Sequence, residues 1–169
     1  MKHILAVALL SCCAGVASAQ TTLRLQAVAK DDPCASSETE DLGSCGIEAL
    51  GDANYAAARH AWLRASQRGD YQAALWLGEM YAGGKGVKKD YLQAYVWFDI
   101  AAALHARAIA REQPSGDPEW RDSNQGEIDH RNVAAKKMKL AQIKQAQQLS
   151  RNWQKSNPNA IDTDVTLAN

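Results

Sequence analysis

The chain has 169 residues, with 19 basic and 19 acidic side chains for a formal net charge of zero, and 46% of it is hydrophobic. That size suits one modest domain, and the balanced charge gives no ground for a nucleic-acid partner or an acidic tail.

Lys2 and His3 precede the apolar run ILAVALL, and Ala17-Ser18-Ala19 forms a small-x-small site before Gln20. Together these read as a secretory signal peptide over residues 1–19, cut between Ala19 and Gln20. The apolar run is too short for a permanent bilayer helix. LLSC at 9–12 loosely resembles a lipoprotein box with Cys12 as the lipidated residue. Cleavage there would leave an unusually short apolar region, so Cys12 and Cys13 are expected to leave with the signal. The mature chain, 20–169, is then periplasmic or secreted and has no transmembrane segment.

Its N-terminal segment, 20–46, holds the two remaining cysteines, Cys34 and Cys45. An even count in an oxidising compartment favours a disulfide between them. Closing that loop of about a dozen residues stabilises by roughly 3 kcal/mol in the chain-entropy model. Zinc ligation would need a second Cys or His pair at a suitable spacing, and redox chemistry would favour CxxC; neither is present.

Residues 47–111 carry three helical stripes. Ala58, Ala61 or Trp62, and Ala65 recur at three- and four-residue steps. QRGD at 67–70 ends that run and offers Asp70 as an N-cap for the second stripe, Ala73, Ala74, Leu77 and Tyr81. Gly83, Gly84 and Gly86 stop the second helix, Asp90 caps the next, and Gln93 stands where a capping box wants its partner. The third stripe is Ala94, Trp97, Ala101, Leu104 and Ala108, running on to about Arg111. The GGKG sequence at 83–86 invites comparison with a phosphate-binding loop. The comparison fails, because Gly84 stands where the lysine is needed and Gly86, not Ser or Thr, follows Lys85. GGKG is therefore read as a turn.

A polar loop follows over 112–130, with Pro114, Gly116 and Pro118 as breakers and Trp120 as a candidate contact or anchor. Helices resume over 131–155, where Met138, Ile143, Ala146, Leu149 and Trp153 form an apolar stripe, and 156–169 is a tail.

A shift of 36 residues sets Ala58 on Ala94 and Ala65 on Ala101, a period typical of helical-hairpin repeats. The run from 69 to 103 resembles a Sel-one-like repeat (SLR), a relative of the tetratricopeptide repeat. The matching residues are Gly69, Ala73, Leu77, Gly78, Tyr81, Gly84, Gly86, Val87, Asp90, Ala94, Trp97, Ala101 and Ala102. ANYAAARHAWLRAS before it, and a Met-started helix ending at Trp153 after it, resemble secreted bacterial members more loosely. The chain departs from the pattern at His105, which replaces a helix-ending glycine. The resemblance implies an all-α fold of about five helices, in antiparallel hairpins stacked as a short α-solenoid. It also implies a protein-interaction role, with outward residues of the first and third helices lining the surface: Arg59, His60, Arg64, Tyr95 and Asp99.

Catalytic patterns are missing. His60, His105 and His130 form no HExxH or other metal spacing, serine catalysis lacks GxSxG, and no mature serine is followed three residues later by Lys as in SxxK. The lysines at 136, 137, 139 and 144 read as a solvated helix face. The expectation is a non-catalytic adaptor or regulator without cofactor or metal, whose partner is an envelope protein or peptide. The alternatives are a hydrolase of cell wall or β-lactams, and a structural protein that binds peptidoglycan.

Overall fold

In the computed structural model, residues 32–35, 37, 41–112 and 124–161 are described. The expected signal peptide 1–19, its cleavage at Ala19 and Gln20, the lipidation alternative at Cys12, and Trp120 lie outside them. The described residues from Pro33 onward belong to one compact unit. They hold six helices and one final helical turn, and no strand. These are α1 (Leu42–Gly51), α2 (Tyr55–Ser66), α3 (Tyr71–Gly83), α4 (Tyr91–Glu112), α5 (Gln125–Ala135), α6 (Leu140–Ser156) and α7 (Pro158–Ile161).

Capping explains most of the helix starts. Asn54 Oδ1 accepts from the Ala57 N–H at 3.2 Å, and Asp70 Oδ1 accepts from Gln72 and Ala73 at 2.9 and 3.0 Å. Asp90 Oδ1 accepts from Leu92 and Gln93 at 2.9 and 3.2 Å. Each satisfies amide donors that the first helical turn cannot. The Asp90 N–H itself donates to Tyr81 O at 2.9 Å, in the place of the expected Gln93 arm. At α6 the Gln142 side chain accepts from the Lys139 N–H at 2.9 Å, so a cap does separate this helix from α5. Met138 lies in the turn before it.

The helices pack as antiparallel neighbours, α1 with α2, α3 with α4 and α4 with α5, and α6 also packs on α4. Each of the first two hairpins closes on a glycine. Gly46 of α1 faces the Trp62 indole of α2, and Gly78 of α3 faces the Phe98 ring of α4. Trp62 and Phe98 are 36 residues apart, the same shift that pairs the buried alanines Ala58 with Ala94 and Ala65 with Ala101. A bulky ring on the second helix thus fills the space left by a missing side chain on the first. This complementarity keeps the core dense while the backbones approach closely.

GGKG is a turn between α3 and α4. Gly84 ends α3 in the left-handed region (φ 74°), and the N–H groups of Gly84 and Lys85 both donate to Met80 O, at 2.8 and 3.0 Å. Gly86 also has positive φ (68°), and a Cβ there would overlap the Tyr55 side chain. Gly86→Val therefore combines a disfavoured backbone with a clash against the start of α2. We expect it to lower stability by about 2–3 kcal/mol, read as a fall in urea midpoint; an unchanged midpoint would refute this contact.

The structure corrects two boundaries. A helix, α1, begins at Leu42, inside the segment assigned to 20–46, and α5 begins at Gln125, inside the expected polar loop 112–130. Both helices bury few apolar side chains. On α1 the buried positions are Leu42, Gly46 and Ala49; on α5 they are Glu127 and Ala134. Hydrophobic periodicity is weak where a glycine or a paired carboxylate occupies the inward face.

Candidate functional site

With α1 included, the packed hairpins are α1–α2 and α3–α4, and the third pair of helices, α5 and α6, packs on α4 rather than on itself. The helices at 55–66 and 91–112, expected to be first helices, are therefore second helices. This shift changes which side chains face outward. Tyr95 is 5% exposed, and its hydroxyl accepts from Gln147 Nε2 of α6 at 3.4 Å. Asp99 is bound on both carboxylate oxygens. Oδ1 accepts from Arg131 Nη1 and Oδ2 from Ser150 Oγ, each at 2.7 Å. Gln154 Nε2 donates to the same Ser150 Oγ at 3.1 Å, and the Arg131 guanidinium lies 5.9 Å from the Tyr95 ring centre. Tyr95 and Asp99 therefore hold α5 and α6 against α4, and the expectation that they line an open surface is overturned.

The same network accounts for a slip in the predicted α6 stripe. Ser150 is fully buried while Leu149 beside it is exposed. The buried position takes a hydroxyl because Asp99 faces it, and a buried carboxylate needs a donor. Nearby, Trp97 meets Trp153 edge-on at 6.0 Å.

Arg64 is likewise committed. Its Nη1 donates to Cys34 O at 2.8 Å and its Nη2 to Ser37 O at 3.4 Å. Cys34 and Cys45 are disulfide-bonded, with Cα atoms 5.8 Å apart, so Arg64 ties the cross-linked loop to α2. Of the five expected surface residues, Arg59 is exposed and His60 half-buried.

The other two histidines bridge helices. His105 Nδ1 lies 3.1 Å from Glu127 Oε1, and its ring stacks on Tyr71 with centres 3.9 Å apart. The residue that departs from the repeat pattern thus links α3, α4 and α5. His130 Nδ1 lies 2.8 Å from Glu79 Oε1, and its ring tilts over Phe98 at 5.2 Å. Asp129 pairs separately with Gln125 Nε2 at 2.8 Å, so the two neighbours serve different faces. Among the described residues, no three His, Cys, Asp or Glu side chains are grouped to hold a metal ion. No described helix is long and apolar enough to cross a membrane.

The open apolar groups lie elsewhere. Ile47 on α1, Trp76 on α3 and Val133 on α5 are 49%, 39% and 57% exposed, one on the first helix of each consecutive pair. Trp76 is held in place by stacking on the buried Trp62, with centres 5.8 Å apart. The Glu79–His130 pair joins α3 to α5 one turn beyond Trp76. Tyr55, Leu140 and Leu149, also exposed, belong to second helices. Sequence periodicity singled out none of the three first-helix residues, because each stands off the buried stripe of its own helix.

No protein-family model and no curated protein matched the chain. Among solved structures, the chain is similar to a protective antigen present in uropathogenic Escherichia coli strains that displays an SLR fold. The two are 25% identical with a TM-score of 0.57, over 80% of this chain and 28% of that one. This chain thus spans less than a third of the length of the protein it matches, and its fold is an SLR-like helical repeat.

Proposed function

Starting from that SLR-like fold, we propose that the chain is a non-catalytic interaction module exported to the bacterial envelope, where its first helices grip another protein or peptide. One observation carries the reading: α1, α3 and α5 each present an exposed large apolar side chain, Ile47, Trp76 and Val133. In stacked hairpins the first helices share one side of the array, which is the usual binding side of such repeats. A rigid tryptophan among smaller apolar groups is the kind of anchor that dominates interface energetics. Arg59 and His60 would contribute at its flank. The disulfide suits an oxidising compartment, and the SLR-fold neighbour is itself a protective antigen.

The test is a photo-cross-linking series in the envelope of the producing cell, with the reactive residue at Val133, at Ile47, or at the exposed Arg151 on α6. A shared adduct at 133 and 47 but not at 151 is expected. Trp76→Ala should weaken recovery of that partner by at least about tenfold while helicity is retained. Adducts of equal yield at all three positions, or recovery unchanged by Trp76→Ala, would reject this face.

A further inference from the structure

A second surface lies at one end of the helices. The α3–α4 turn carries Lys85, Lys88 and Lys89, and the α5–α6 turn carries Lys136, Lys137 and Lys139. These are six of the chain's ten lysines, in a protein whose net charge is zero. All six are exposed. Among the described residues, none takes part in an ion pair with a carboxylate.

Topology brings the two turns to the same edge. Helices α4 and α6 run parallel, because Tyr95 meets Gln147 and, about one turn further along both, Asp99 meets Ser150. Each lysine turn immediately precedes the N-terminus of one of these helices. The α1–α2 turn shares this edge, since Tyr55 touches Gly86, but it carries Asp52, with Glu48 in the last turn of α1 before it. Positive charge is therefore confined to the second and third hairpins, where Asp90 alone is acidic and its Oδ1 is already occupied by amide donors. Leu140, directly after Lys139, is 68% exposed, the most open of the exposed large apolar side chains.

We infer that this edge docks on an anionic phospholipid surface, with the two lysine turns over the headgroups and Leu140 entering the interface. Charge complementarity selects the occupant: clusters of basic side chains of this size are attracted to acidic lipids. An exposed leucine beside them adds apolar burial at the headgroup boundary. A protein partner would not require six unpaired, strongly hydrated lysines around one leucine, whereas a diffuse layer of phosphates accepts them without fixed geometry.

The experiment is co-sedimentation of the exported, purified chain with vesicles of phosphatidylcholine alone and vesicles rich in phosphatidylglycerol. Partition should be at least about tenfold higher on the acidic vesicles at low salt and should fall as salt screens the charges. Replacing Lys136, Lys137 and Lys139 together by Ser should remove at least about tenfold of it; serine is also a good N-cap for α6. Leu140→Ser should weaken binding several-fold without changing its salt dependence. Equal binding to both vesicle types, or undiminished binding by the triple variant, would overturn the inference. So would binding to soluble heparin with none to acidic vesicles, which would assign the charge to a polyanion.

Discussion

Gly78→Val should lower the melting temperature by roughly 10 °C, because the substitution closes the space on which a hairpin depends. Gly78 is buried in the middle of α3, and a Cβ there would overlap the Phe98 ring. Phe98 is 2% exposed, backed by His130 from α5, and cannot swing outward without displacing that helix. Overpacking of this kind costs about 1–3 kcal/mol, occasionally more, and a branched side chain on an inward helix position belongs at the upper end. Gly46→Val should behave similarly, since its Cβ would meet the buried Trp62 indole. The comparison is Gly126→Ala on α5, where nothing lies within 4 Å of the new methyl group. That change should leave stability the same or slightly higher. Thermal melts followed by circular dichroism decide the matter: if Gly78→Val melts with the native protein, the ring-on-glycine closure is not holding α3 to α4.

The second large effect is expected at Asp99. Asp99→Ala removes the acceptor for both Arg131 and Ser150 and leaves a guanidinium and a fully buried hydroxyl without it. Arg131 Nε already lacks a partner, so the side chain has little left with which to compensate. Breaking a buried pair from one side typically costs 3–5 kcal/mol. Here the pair is about a quarter exposed, 27% for Arg131 and 22% for Asp99, which moves the expectation down to about 2–3 kcal/mol. Urea unfolding of Asp99→Ala, Arg131→Ala and the double variant should give a coupling of at least about 1 kcal/mol. Strict additivity would mean that the two residues act independently and that α6 is held by apolar contacts alone.

These two sites also show what the amino-acid pattern could and could not disclose. The second hairpin was legible in detail. Its alanine and leucine stripe, both aspartate caps and the glycine turn all stand where local chemistry puts them, because each depends on residues within a few positions. The first and third hairpins were harder to read. Gly46 contributes to the core by what it lacks, so α1 shows no apolar stripe, and missing α1 moved the hairpin register by one helix. That error made Tyr95 and Asp99 look like outward residues of a first helix. On α5 the buried Glu127 and the half-buried Arg131 are tolerable only because His105 and Asp99 face them from α4. Pairings across 22 and 32 residues leave no trace in a local window. The proposed face suffers from the same limit: Ile47, Trp76 and Val133 stand on three helices far apart in sequence, and the lysine turns share an edge only because α4 and α6 run parallel.

The last described helical turn, α7, adds a property that the repeat alone does not have. Ala160 of α7 is buried, and its carbonyl lies 3.0 Å from where a Cβ of Gly69 would stand, at the corner between α2 and α3. Gly69 holds φ 94° there, which only glycine adopts readily. In an open array each hairpin supports only its immediate neighbours, and the ends can fray one at a time. Here α7 returns past α4 to the junction of the first two hairpins, like a clasp closed around a short stack. The outer hairpins are then expected to lose their supports together, in a single cooperative transition rather than the piecemeal melting of a longer solenoid.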